Sequence, residues 1–235
     1  NFELGLVYLT SKRGTAAVGL FRELAHRNRK DDTIWCNLAE AFTLVNDYAS
    51  ALNCLTRVLK SERDTDKINA INAYKTDVEK EYEQYKFLLA RKKINPQDTA
   101  NIKRLARLYL GHGNYNLCIA EITEINQHLP PTDWEWKYIL GRAYLESGKY
   151  NESIALIQQI WGQEALANKQ DELAAKLARA EELKGNIDHA LSWCDRGLKY
   201  NESNPELYFL RGSLYAKKNM YPEAIADYQR GKKLQ

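Results

Sequence analysis

Apolar residues return every three or four positions along most of this chain, the spacing that draws one stripe down an α-helix. The stripes are short and paired. Between the members of a pair stand Val45-Asn-Asp-Tyr48, His112-Gly-Asn-Tyr115, Ser147-Gly-Lys-Tyr150, Lys184-Gly-Asn-Ile187 and Lys218-Asn-Met-Tyr-Pro222. Gly or Asn at a helix end accepts the left-handed conformation, and a proline near a helix start loses no hydrogen bond, so these segments are predicted turns. The pattern predicts antiparallel helix pairs that break near Asn46, Gly113, Gly148, Gly185 and Asn219, with no sheet.

The pairs also repeat. Gly5, Ala39, Ala73, Ala106, Gly141, Ala178 and Gly212 follow one another at steps of 33 to 37 residues, and each is small enough to let two helices approach closely. Three residues later stand Tyr8, Phe42, Thr76, Tyr109, Tyr144, Glu181 and Tyr215, mostly aromatic and one helical turn further on. A second helix follows in small-x-x-x-large form, as in Ala17…Phe21, Ala51…Leu55, Ser153…Ile157 and Ala224…Tyr228. The predicted fold class is all-α, a single solenoid of units at about 1–31, 32–65, 66–98, 99–133, 134–170, 171–204 and 205–235. The third unit is degenerate. Asp77 to Lys86 reads as uninterrupted helix with acid-base pairs, so this unit is expected as one longer helix or an irregular hairpin. An insertion near Asn168-Lys-Gln170 lengthens a later loop.

Trp35-x-x-Leu38-Ala39-x-x-Phe42…Ala51-x-x-x-Leu55, with Leu140-Gly141-x-x-Tyr144 and Tyr208-x-x-x-Gly212-x-x-Tyr215…Ala224-x-x-x-Tyr228, resembles the tetratricopeptide repeat signature along essentially the whole chain. The resemblance implies a right-handed α-solenoid superhelix that stacks its units and presents a concave surface lined by the first helix of each. It also implies a non-enzymatic scaffold that binds a segment of a protein or peptide in that groove. One groove position directly follows the small residue. It reads Leu6, Glu40, Tyr74, Arg107, Arg142, Arg179 and Ser213 along the chain, which places arginine in three consecutive units. Lys103, Arg104 and Lys176 add charge to the expected groove, and Tyr138, Ile139, Phe209 and Leu210 add apolar surface. Arginine holds a carboxylate through two parallel hydrogen bonds, so an acidic segment is the favoured ligand. The competing reading is that these cations are ordinary solvated charges. Some relatives clamp a terminal carboxylate with Lys and Asn on successive units; here Cys36, Glu40 and Tyr74 stand at those places, and the full clamp is missing.

Charge and composition narrow the alternatives. With 34 basic and 31 acidic residues the net charge of +3 is too small to signal a polyanion partner, and the groove positions show no regular base-reading code. A nucleic-acid-binding repeat that uses Lys86, Arg91, Lys92 and Lys93 with the groove cations is therefore the lesser reading. Self-association is a third, because the last unit ends at Gln235 without a polar capping helix, and the start inside a unit at Asn1 is expected of a piece of a longer protein. The histidines His26, His112, His128 and His189 are scattered, with no catalytic, metal or phosphate-binding motif, so no enzyme activity, cofactor or metal is expected. Trp134, Trp136, Trp161 and Trp193 are expected to pack between units. Cys36, Cys54, Cys118 and Cys194 are too widely spaced for a disulfide framework and read as buried thiols of a cytoplasmic protein. Asn151-Glu-Ser153 and Asn201-Glu-Ser203 match the glycosylation sequon, a short pattern that carries little weight. No apolar run reaches the roughly 20 residues that a membrane-spanning helix needs.

Overall fold

The computed structural model describes residues 1–235, and the chain is all-α: thirteen α-helices and no strand. Six pairs are hairpins. They are α1 (Phe2–Thr10) with α2 (Gly14–Arg27), α3 (Asp32–Leu44) with α4 (Tyr48–Ser61), α6 (Thr99–Gly111) with α7 (Tyr115–Ile125), α8 (Trp134–Glu146) with α9 (Tyr150–Ile160), α10 (Gln170–Leu183) with α11 (Ile187–Tyr200), and α12 (Pro205–Lys217) with α13 (Tyr221–Leu234). Between α4 and α6 runs one helix, α5 (Thr65–Ile94). The helices form two compact units, Asn1–His128 and Leu129–Gln235.

Each hairpin turns by the same local device. The residues after the first helix at Lys12, Asn46, Gly113, Gly148, Gly185 and Asn219 all have positive φ. The next N–H then reaches back to the aromatic position of the repeat: Asp47 N–H donates to the Phe42 carbonyl at 2.9 Å, Asn114 to Tyr109 at 2.8 Å and Lys149 to Tyr144 at 2.8 Å. This six-to-one bond closes helix-end carbonyls that would otherwise stay unpaired. Helix starts are capped as well, with Asp31, Asp64, Asp98, Asp133 and Asn204 side chains accepting first-turn N–H groups.

The small residue of each unit meets the large residue of the following helix. A Cβ added to Gly5 would lie 2.6 Å from the Phe21 ring, one added to Gly141 2.9 Å from Ile157, and one added to Gly212 3.0 Å from Tyr228. Ala39, Ala106 and Ala178 are completely buried at the same register. Apolar burial is the main stabilising contribution, about 25 cal/mol per Å2 of surface removed from water.

Of the two forms the sequence allowed for residues 66–98, the structure has the single long helix. No glycine stands within residues 66–98, so the residue that most readily ends a helix in the left-handed conformation is missing there. Pairs along the helix, Lys75–Glu79 at 3.3 Å and Lys86–Glu83 at 2.6 Å, support its continuation. One face of α5 is held by packing: Tyr48 of α4 is buried, stacks with Tyr82 and packs at a tilt against Tyr85, each 5.4 Å away between ring centroids. Beyond α5 the chain returns to the earlier turns of its unit. Nitrogens of the His112 ring lie 2.8 Å from Asn46 Oδ1 and 2.8 Å from Glu81 Oε1, and Asn114 Nδ2 donates to the Leu44 carbonyl at 2.8 Å.

In the second unit the insertion after α9 forms a 3-10 segment, Glu164–Lys169, which buries Leu166. Gln170, also buried, accepts from Gly162 N–H at 3.1 Å and donates to the Leu166 carbonyl at 3.1 Å, so the longer loop satisfies its own backbone.

Candidate functional site

The first helices of the three second-unit hairpins, α8, α10 and α12, build an open pocket of about 470 Å3. Lys176 and Arg179 of α10, Phe209 and Leu210 of α12, and Leu145 and Glu146 of α8 line it. The arrangement is amphipathic, with apolar surface between cations and carboxylates.

The sequence-derived residues divide between the units. Lys176, Arg179 and Phe209 come together in this pocket. Tyr138 and Arg142 lie on α8 and contact each other, with the guanidinium 5.5 Å from the ring centroid, near enough for a cation–π contact. The Tyr138 hydroxyl donates to Glu172, and Lys176 Nζ lies 3.8 Å from the same carboxylate. Burial, and then the bond to Glu172, push the Tyr138 phenol up, so it remains a donor. Lys103, Arg104 and Arg107 lie on α6 of the first unit, and the pocket is built without them.

Arg179 has a second task. Its Nη1 is 2.6 Å from Glu182, whose side chain is only 3% exposed, and Lys217 Nζ lies 2.6 Å from the other oxygen of that carboxylate. A buried carboxylate needs such partners. The Arg179 side chain is still 56% exposed, and a guanidinium has donors to spare. Glu181, at a position where most units carry an aromatic, is buried and accepts from Asn186 Nδ2 at 2.7 Å, which explains how the repeat tolerates it.

Sequence reasoning missed the acidic half of the pocket. Glu146 and Glu206 line it, and Glu172 faces Tyr138 and Lys176. A signal existed: Glu135, Glu172 and Glu206 each stand six residues before the small residue of their unit. That register puts them in the first helical turn, where a carboxylate is favoured by the unpaired N–H groups. No group of three or more His, Cys, Asp and Glu side chains is arranged to hold a metal ion. All four cysteines are free thiols, three of them buried, and burial pushes Cys194 up to about 12. No helix is long and apolar enough to cross a membrane.

The family model for the tetratricopeptide repeat matches residues 205–235. Solved structures share the fold over most of the chain. The crystal structure of MamA is 17% identical with a TM-score of 0.54, over 84% of this chain and 94% of that one. YrrB, described as a TPR protein with an unusual peptide-binding site, is 13% identical with a TM-score of 0.51, over 92% of each chain. The APC/C hetero-tetramer Cut9–Hcn1 contains a chain 13% identical with a TM-score of 0.52, over 99% of this chain and 39% of that one. A search of curated protein sequences gives no match. The family's model on the last hairpin, the positive-φ turn at six hairpins, and the small-to-large contact at Gly5, Gly141 and Gly212 agree with the fold that these repeat structures share with the chain.

Proposed function

We propose that the protein is a non-enzymatic scaffold that binds an extended segment of a partner protein across the first helices of its hairpins. The observation that carries this reading is the pocket in which Phe209 and Leu210 offer an apolar seat beside Lys176 and Arg179. An apolar side chain of the partner occupies the seat, and a carboxylate near it meets Lys176 and Arg179; Arg142, against Tyr138 on α8, and Arg107, at the same repeat position on α6, offer further guanidinium groups to the partner's acidic residues. Glu146 and Glu206 favour a segment that also carries a donor or a positive charge. The description of YrrB as having a peptide-binding site supports the class of ligand. The cytoplasm, where such thiols stay reduced, fits the free cysteines.

The test is affinity capture, mapping of the bound segment by crosslinking, and titration of that segment against variants. Arg142→Glu, and separately Arg107→Glu and Arg179→Glu, are expected to weaken binding by roughly 1–3 kcal/mol, since a charge-assisted contact is lost and a repulsive one added. Phe209→Ala is expected to weaken it by a similar amount, and raised salt to weaken the wild type. Unchanged affinity in the triple Glu variant, with helicity intact by circular dichroism, sinks the reading.

A further inference from the structure

A cleft of about 500 Å3 lies in the first unit, between α2, α3 and α4. Trp35, Leu38 and Phe42 of α3 line it. Glu40, the groove position of the same helix, is not among its walls. At about 100° per residue, Glu40 stands on the far side of α3 from these three. The cleft and the groove surface therefore use opposite faces of one helix.

The chemistry of the cleft is one-sided. Its charged walls are Arg22, Arg29 and Arg57, with His26 beside them, and none of its lining residues is acidic. Two of the arginines are held in place by the walls themselves. The Arg57 guanidinium lies 4.3 Å from the Trp35 ring centroid and donates through Nη2 to the Arg29 carbonyl at 3.2 Å, an acceptor that Trp35 Nε1 also uses at 3.1 Å. Arg22 sits over Phe42 at 5.5 Å. The floor is apolar and deeply buried, made of Ala25, Leu38 and Cys54. Both Arg22 and Arg57 oppose, through their charge, the burial that pushes the Cys54 thiol up to about 11, which places both cations around that floor. A guanidinium fixed by stacking loses little side-chain freedom when it takes a carboxylate, and its planar fork suits two parallel hydrogen bonds.

We propose that this cleft is a second docking site, which takes an acidic side chain of a partner peptide between Arg22 and Arg57 with a neighbouring apolar side chain against Leu38 and Cys54. The charge of the walls selects the acid, and the apolar floor selects a peptide carrying an aliphatic residue over a bare anion. The site is independent of the groove in the second unit and stands whether or not the groove binds.

The probe is an acetylated and amidated pentapeptide alternating glutamate and leucine, titrated into the full chain with the Trp35 indole N–H followed by NMR and assigned through Trp35→Phe. A saturable shift is expected, with the glutamine-for-glutamate analogue about tenfold weaker, as for loss of a charge-assisted bond. Arg22→Gln, which leaves the Trp35–Arg57 stack untouched, and Arg57→Gln are each expected to weaken the peptide about fivefold to tenfold. Lys176→Glu, in the other unit, is expected to leave the titration unchanged. Equal affinity for the two peptides, wild-type affinity in both arginine variants with helicity retained, or loss of the shift in Lys176→Glu would each overturn the proposal. So would inorganic phosphate alone saturating the same shift as tightly as the peptide.

Discussion

The two units repeat one hairpin but fasten it differently. In the second unit the turn glycines stand in the open: a Cβ added to Gly185 would meet nothing within 4 Å, and one at Gly148 only the Tyr150 hydroxyl at 4.0 Å. In the first unit the equivalent turn is a tertiary contact, since a Cβ on Gly113 would lie 2.6 Å from the Lys12 carbonyl oxygen and His112 touches Asn46 and Glu81. The difference follows from α5. A unit that omits its middle turn sends the chain on through one helix about 45 Å long at 1.5 Å per residue. The next hairpin then brings its turn against those of the first two. The second unit, with three complete hairpins, instead fastens its last hairpin through side-chain ions: Arg211 of α12 grips Asp227 of α13 by Nε at 2.7 Å and Nη2 at 2.8 Å, and reaches Asp195 of the preceding hairpin at 2.7 Å.

The largest effect is expected at that ionic fastening. Asp227 is buried, and Arg211→Met strips it of its bidentate partner while keeping most of the apolar stem. Removing one member of a buried pair costs about 3–5 kcal/mol, because the other charge stays where water cannot reach it. Urea unfolding of the full chain measures this. A loss below about 1 kcal/mol would mean that the pair behaves as a surface salt bridge and that the second unit is held chiefly by its apolar core.

Next in size is a pair of matched glycine substitutions. Both Gly113 and Gly185 have positive φ, +77° and +86°, so replacement by alanine carries the left-handed penalty of about 1–2 kcal/mol at either place. Only at Gly113 does the new methyl group also strike a backbone oxygen, which cannot move without displacing the α1–α2 turn. Gly113→Ala is expected to cost about 3 kcal/mol or more, and Gly185→Ala about 1–2 kcal/mol. Equal losses in matched urea melts would show that the contact between turns adds nothing and that the two units are fastened alike.

These contrasts mark how far the sequence could be read. The turns at Asn46, Gly113, Gly148, Gly185 and Asn219 were legible because each needs a residue tolerant of positive φ, a local requirement. The small-to-large contacts were legible because a repeat states them several times over. The meeting of His112 with Asn46 and Glu81 was not, since it depends on where a long helix delivers the following hairpin and leaves no periodic trace. At the groove, the arginine column stood out by its charge, while Glu172 and Glu206 occupy an equally regular column that passes for ordinary helix-start chemistry. Arg22 and Arg57 lie on second helices, off the groove register, so a reading by that register passed over the cleft beside Trp35.

The smallest effect separates the units by sign. Tyr48 and Tyr221 occupy the same position, three residues before the small residue of the second helix. Tyr48 is 1% exposed, packed by Tyr82 and Tyr85, and its hydroxyl has no hydrogen-bond partner. Burial pushes its phenol up, so it stays neutral, and the price of the hydroxyl is that of an unpaired polar group. Tyr221 is 58% exposed and donates to Asn219 Oδ1 at 2.9 Å. Tyr48→Phe is therefore expected to stabilise the chain by about 0.5–1 kcal/mol, since the ring packing remains and the orphaned oxygen leaves. Tyr221→Phe is expected to be neutral or to destabilise by a few tenths of a kcal/mol, the worth of an exposed hydrogen bond. Paired urea melts read the two signs. Destabilisation by Tyr48→Phe would mean that the hydroxyl finds a partner in solution, water included, and that the packed tyrosines of the first unit admit solvent.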